Sequence, residues 1–235
     1  MNIRSLIEAD LIELKKKYQS TPFGEYPLLA VEDVPNDGIL FVGLNPSIPE
    51  KERKETMHSE GISLFYSHDK ANGHPYFRRF IEVAENITES TKTEINWGHI
   101  DLLYMRVTNQ GKIGDLVWGK GKEKGREFIE DQLKISKRVL TEIIDKANPK
   151  VIVVNNSLAR EFLGLEASED DKKDVWLGFQ FDWDKEIGTY THKGIPVFFT
   201  SMLTGQRALD NGSYKRLIWH IEFALKYKSP RQSHL

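Results

Sequence analysis

The chain has 235 residues, of which 39% are hydrophobic and 29% are charged, and its formal net charge is -2. This balance is typical of a globular protein, and it gives the chain as a whole no bulk attraction for nucleic acid phosphates. The chain has no cysteine, which excludes disulfides, thiol nucleophiles and cysteine-ligated iron–sulfur clusters.

The sequence predicts one cytoplasmic domain. No apolar run is long enough to cross a bilayer, and the N-terminus does not resemble a secretory signal, so we expect no membrane partner. No long polar linker divides the chain. We therefore predict a single domain over residues 1–228, followed by a disordered tail over 229–235.

The first predicted elements are a helix and a buried strand. Ser5 and Glu8 have the spacing of a capping box, and apolar residues then recur at helical intervals. Residues 39–44 form an apolar run that is typical of a strand covered on both faces. Gly43 lets the backbone bend tightly, so we predict that Asn45 faces a cleft at the strand exit. A polar connection follows, and it is longer than most connections.

Helical and strand patterns alternate along the rest of the chain. They predict helices around 77–84, 128–144, 158–164 and 213–225, and strands over 100–105, 151–154, 189–192 and 195–200. Lys193-Gly194 is a typical two-residue hairpin turn. The alternation predicts an α/β fold, a three-layer α/β/α sandwich with a mainly parallel, roughly four-stranded sheet. Ligands of such a sheet bind beyond the carboxyl ends of its strands.

Five segments together resemble the uracil-DNA glycosylase superfamily. The first, Gly43-Leu44-Asn45-Pro46-Ser47, is similar to the Gly-x-Asn-Pro motif of the mismatch-specific and single-strand-selective branches. The others are Gly73-His74-Pro75-Tyr76-Phe77, the strand that holds Asp101, residues 148–164 and residues 194–200. These segments span most of residues 38–227.

The resemblance implies a hydrolase in DNA repair that flips an altered or mismatched base out of DNA and cleaves its N-glycosidic bond without a metal or other cofactor. Asn45 would orient the attacking water. Gly43 and Leu44 would border the base, and the backbone N–H of Leu44 or Asn45 would donate to its carbonyl. From the residues alone, the alternative is that Asn45-Pro46 only forms a turn.

The resemblance also assigns residues that hold the base. Tyr76 or Phe77 matches the aromatic side chain that stacks on the base, although either ring is also a candidate core residue. Asp101 stands where many members have an asparagine that reads the base edge. An ionised Asp101 only accepts hydrogen bonds and suits an exocyclic amine, whereas a protonated Asp101 also donates. The sequence leaves both states open, and also an ion pair of Asp101 with Arg106 or Lys112.

The last motif departs from the family. Met202-Leu203-Thr204 stands where members commonly have His-Pro-Ser, so the usual histidine donor to the base is missing. The resemblance assigns contacts with DNA to Ser47, Ser201 and Thr204 through phosphate, and to Leu203 or Arg207 as a wedge in the duplex. The alternative is a loop that only covers the end of the sheet.

DNA is the predicted partner, and only local basic patches are available to bind it. The candidate patches are residues 120–126 and the cations Arg207, Lys215 and Arg216. We interpret His58, His68, His74 and His99 as scattered surface residues, since their spacing matches no metal site. Two alternative functions are a non-catalytic or divergent protein that binds a nucleobase, nucleotide or nucleic acid on the same fold, and a scaffold.

Overall fold

The computed structural model describes residues 1–47, 64–68, 73–118, 123–164, 176–205 and 208–228. Most of the long polar connection, His58, Lys120, Arg207 and the predicted tail lie outside the described residues.

An α/β structure is built around a six-stranded, mostly parallel sheet. In spatial order the strands are β4 (Trp97–Asp101), β2 (Ile39–Gly43), β5 (Val151–Val154), β8 (Ile195–Phe199), β7 (Thr189–His192) and β6 (Asp182–Asp184). The first four are parallel to one another, and β7 and β6 are antiparallel. The predicted number of about four strands therefore fits the parallel part alone, because β7 and β6 extend the same sheet. A separate parallel pair joins β1 (Ala30–Val31) to β3 (Phe65–Tyr66).

The described residues contain six α-helices, which include all the predicted ones. They are α1 (Arg4–Tyr18), α2 (Arg78–Thr91), α3 (Gly111–Val117), α4 (Glu123–Glu142), α5 (Ser157–Leu163) and α6 (Asn211–Lys228). A π-helical turn, Ile143–Ala147, extends α4. None of these helices has the length and apolar composition needed to cross a membrane.

Helices cover both faces of the sheet. Leu40 and Val42 of β2 belong to one core, together with buried residues of α1, α4 and α5. Ile39 and Phe41 belong to a second core, formed with α2 and α6. Because successive side chains of a strand point to opposite faces, this alternation places the sheet between two helical layers.

Two local predictions are wrong. The capping box is not formed: α1 begins at Arg4, and the Ser5 N–H donates to Asn2 Oδ1 at 2.8 Å, while Glu8 pairs with Arg4. The second strand spans Trp97–Asp101 instead of 100–105, because its ladder with β2 runs from Trp97 to Asp101.

The predicted hairpin turn at Lys193-Gly194 is confirmed. Both residues have positive φ, 49° and 79°, which is the backbone of the turn that matches the twist of two antiparallel strands. It joins β7 to β8 and so brings the last parallel strand against β5.

Candidate functional site

The candidate site lies at the carboxyl ends of three adjacent strands. Gly43 of β2 is directly opposite Asp101 of β4. On the other side of β2, the Asn155 N–H follows β5 and donates to the Val42 carbonyl at 3.1 Å. A Cβ atom on Gly43 would lie 2.3 Å from Asp101 Oδ1. Glycine at this position therefore leaves the space that the Asp101 carboxyl occupies.

Asn45 holds the chain that leaves β2. Its Nδ2 donates to three backbone carbonyls, those of Pro46 at 3.1 Å, Met105 at 3.3 Å and Val107 at 2.7 Å. Because these bonds fix the NH₂ side of the amide, Oδ1 faces away from the carbonyls and keeps its capacity to accept a hydrogen bond. Asn45 thus forms the predicted turn and also presents one oriented acceptor.

Helix α4 positions the carbonyls that Asn45 binds. The buried Gln132 side chain accepts hydrogen bonds from the backbone N–H groups of Tyr104 and Met105, each at 2.9 Å. Ser136 Oγ donates to the Leu102 carbonyl at 2.6 Å. The segment after β4 leaves the ladder at Asp101, so these side chains supply hydrogen bonds that a sheet would otherwise provide.

Asp101 has a mostly buried carboxyl that lies close to a histidine ring. Its side chain is 11% exposed, and His99 Nε2 lies 3.7 Å from Asp101 Oδ1. Burial raises the pKa of Asp101 to about 8, so the protonated form dominates at pH 7 and the group both donates and accepts. Arg106, one of the two cations considered for an ion pair with Asp101, instead donates to the Ser47 carbonyl at 2.9 Å.

The interpretation of His99 as a surface residue is wrong. The residue is 3% exposed, and its ring packs against Phe77 and Phe80 with centroids 5.2 and 5.5 Å apart. Burial lowers the pKa of His99 to about 3, so the ring is neutral. Its Nδ1 contacts the Tyr66 hydroxyl at 3.4 Å.

The two aromatic candidates have different environments. Phe77 is buried in the second core, whereas Tyr76 is half-buried. Burial, and then the charge of Asp101, raise the pKa of Tyr76. Thr204 and Asn155 lie close enough to the Tyr76 hydroxyl to moderate this rise in its pKa, but Thr204 Oγ1 and Asn155 Oδ1 have no hydrogen-bond partner among the described residues. Tyr76 is therefore the ring that faces the site.

The other predicted site residues lie at varied depths. Leu44 is buried in the first core, and Ser47 and Ser201 are exposed. Leu203 is fully buried in the second core, and its carbonyl accepts from Arg79 Nη1 at 3.0 Å. A wedge in a duplex must be exposed, so this burial opposes the role that the resemblance gives Leu203.

Three residues of the site were not among the predicted ones: Tyr66, His99 and Asn155. Asn155 carries the same signal that identified Asn45, a polar residue directly after a buried strand, and that signal could have identified it. Tyr66 gives no such signal, because it enters the site through the pairing of two short strands, β1 and β3.

No protein-family model matches the chain, and no curated protein matches it. Within the described residues, no group of three histidine, aspartate or glutamate side chains is arranged to hold a metal ion.

Proposed function

We propose that this protein is a hydrolase of the uracil-DNA glycosylase type, which removes an altered or mismatched base from DNA. The observation that carries the proposal is the arrangement at the exit of β2. Asn45, with its amide fixed by three carbonyls, follows within two residues of Gly43, over which the Asp101 carboxyl lies. A candidate group for water and a candidate group for the base thus lie at the ends of two adjacent strands, β2 and β4.

The proposed reaction needs an acceptor for water and neutral donors for the base. Asn45 Oδ1 accepts a hydrogen bond from a water molecule, which attacks the sugar carbon C1′. The new C–O bond forms as the C1′–N bond breaks, and the electron pair leaves with the base. The water proton passes to solvent or to the departing base. An amide is a weak base, so we expect a slow enzyme.

The state of Asp101 indicates which bases fit. A protonated carboxyl presents one donor and one acceptor side by side, as an asparagine amide does. This favours a base edge that carries a carbonyl next to an N–H, as in uracil, hypoxanthine and xanthine. It supports these bases over one that presents an exocyclic amine, which suits an ionised Asp101.

A second candidate function is binding of a nucleobase or nucleotide without cleavage. One observation favours it: the Asn45 NH₂ group is used to hold the β2 exit against the segment after β4. Asn45 would then have a structural role alone, and the site would lack any group that activates water.

Strand-cleavage assays separate the two functions. Oligonucleotides that carry one uracil, hypoxanthine, xanthine or mismatched thymine are incubated with the protein and then treated with alkali. We expect product from at least one of them, loss of that product in Asn45→Ala, and retention in Asp101→Asn, which keeps one donor and one acceptor. Asn86→Ala, a change on an exposed part of α2, serves as the control.

Circular dichroism must show that Asn45→Ala remains folded for its result to count. Absence of product from all four substrates would reject hydrolysis of these bases. Equal activity of Asn45→Ala and the unmodified protein would reject the role of Asn45.

A further inference from the structure

Asp101, Gly43 and Asn155 form one row across three neighbouring strands. Gly43 is opposite Asp101, and Val42 is opposite Val154, so the next position on that side is Asn155. Asn155 is two residues after Val153, so both side chains point to the same face of the sheet. Val153 lies in the second core with Phe41. The three residues of this polar row therefore point to the same face of the sheet.

The Asn155 end of the polar row contains side-chain oxygens without partners. Asn155 is 3% exposed, yet among the described residues its Oδ1 has no hydrogen-bond partner. Thr204 Oγ1, from the loop after β8, is likewise a buried oxygen without a hydrogen-bond partner among the described residues. Both side chains lie close to the Tyr76 hydroxyl. Buried polar groups in native proteins are normally satisfied, and an unsatisfied one opposes folding.

Another threonine in the same sheet shows the usual arrangement, in which a buried hydroxyl has a hydrogen-bond partner. Thr189 is also buried, and its Oγ1 donates to the Val197 carbonyl at 2.7 Å. Thr204 and Asn155 differ from Thr189 because their side-chain oxygens have no hydrogen-bond partner among the described residues, although both side chains lie next to Tyr76 at the strand ends. Polar atoms that converge on a strand-end site without partners are arranged for a ligand.

We propose that Asn155, assisted by Thr204, is a second specificity-determining residue, which accepts a hydrogen bond from an N–H group of the bound base. The inference rests on the proposed function, since it assumes that the site takes a nucleobase. Asp101 donates from β4 to a carbonyl of the base, and Asn155 Oδ1 accepts from β5 a hydrogen bond from the N–H beside that carbonyl. A base in this site must then satisfy hydrogen bonds at two positions. A base that lacks an N–H at the second position leaves Asn155 Oδ1 buried and unpaired, so it binds more weakly.

The stability of matched variants tests whether these oxygens are free of internal partners. Thr204→Val and Asn155→Leu replace unpaired polar groups with apolar ones of similar size, so we expect both to raise the midpoint of thermal unfolding. Thr189→Val removes a formed hydrogen bond and should lower it. A lower midpoint in both Thr204→Val and Asn155→Leu would overturn the proposal, because the oxygens would then serve the fold itself.

Binding of free bases tests the recognition. Calorimetric titration of the full chain uses uracil and hypoxanthine, and as analogues 3-methyluracil and 1-methylhypoxanthine, in which the N–H beside the carbonyl is methylated. We expect at least one unmethylated base to bind, and its affinity to fall about tenfold or more in Asn155→Leu, the equivalent of one hydrogen bond. The methylated analogue should bind weakly, and Asn155→Leu should bind both forms alike. Asn86→Leu is the matched control on an exposed helical position.

The titration needs no cleavage, so its failure is distinct from failure of the proposed hydrolysis. Asn155-dependent binding without any cleavage would reject the chemistry and keep this inference. Cleavage with unchanged base affinity in Asn155→Leu would reject this inference and keep the chemistry. Absence of binding by both unmethylated bases would also overturn it.

Discussion

At the scale of single residues, the hydrogen bonds of Asn45 limit which side chains can replace it. Its Nδ2 donates to three carbonyls, and aspartate would place an acceptor against the same acceptors. We predict that Asn45→Asp lowers the free energy of unfolding by about 1–3 kcal/mol or more, the usual cost of leaving buried polar groups unpaired.

Urea denaturation at pH 7 measures this change. Asn86→Asp is the control, since the Asn86 amide binds one helix carbonyl and is exposed. If Asn45→Asp is as stable as the unmodified protein, the three hydrogen bonds do not hold the β2 exit.

Asp101 and His99 predict the pH dependence of stability. The pKa of Asp101 rises from 3.8 to about 8, so its contribution to stability is present below pH 3.8 and is lost as the pH rises through about 8. The pKa of His99 falls from 6.5 to about 3, so its contribution is present above pH 6.5 and is lost as the pH falls to about 3. The two trends oppose each other at intermediate pH.

Between pH 6.5 and about 8, only the trend due to Asp101 remains. We predict that the free energy of unfolding falls over this range, by at most about 1.4 kcal/mol per pH unit. Asp101→Asn should flatten the profile, because asparagine does not titrate. Denaturation curves at several pH values check this, and an equal slope in both proteins would assign the titration to another group.

At the scale of elements, a helix on one side of the sheet controls the site. Gln132 of α4 accepts from two consecutive backbone N–H groups after β4 and donates to the Phe128 carbonyl. We predict that Gln132→Met, which preserves volume and removes these bonds, costs about 2 kcal/mol or more. Gln180→Met, at an exposed position, should cost little.

Loss of the Gln132 hydrogen bonds should also loosen residues 104–107, the segment after β4 that contacts Asn45. This segment contains the Met105 and Val107 carbonyls, which accept hydrogen bonds from Asn45 Nδ2. Amide hydrogen exchange at Tyr104 and Met105 should therefore be faster in Gln132→Met. Unchanged exchange would show that the segment is held by other contacts.

The sequence predicted elements better than it predicted their ends. An apolar run identifies β2, and Lys193-Gly194 identifies the β7–β8 turn, because both signals are local. The residues 102–105 are as apolar as a strand, and the N–H groups of Leu102 and Leu103 still bind carbonyls at the end of β2. The next two N–H groups bind Gln132 of α4 instead, and the Leu102 carbonyl binds Ser136. That difference depends on a helix more than 25 residues away in the chain, so no local pattern reveals it.

The site residues that the sequence predicted are those with a local signal. Asn45 and Asp101 follow or end buried strands, and the sequence shows that position. The burial of His99 and the missing partner of Asn155 Oδ1 depend on side chains from other elements. The protonation state of Asp101 likewise follows from the burial of the folded site, and sequence alone left it open.

At the scale of the whole molecule, net charge limits how DNA can bind. The chain carries a formal charge of -2, so any DNA contact must come from a few local cations. The affinity of a protein for duplex DNA falls with salt in proportion to the number of phosphates it neutralises. We predict a slope of log K against log salt concentration no steeper than about -3, which corresponds to roughly three phosphates.

Fluorescence anisotropy of a labelled duplex with one uracil, titrated with protein at several salt concentrations, measures this slope. Lys112→Gln, an exposed cation on α3, should make the slope shallower by about one if it contacts phosphate, while Lys15→Gln on α1 should leave it unchanged. A much steeper slope would mean that a broad basic surface binds DNA. Because most of the recognition would then be electrostatic, affinity would depend little on the base, and the polar row at the strand ends would not select the substrate.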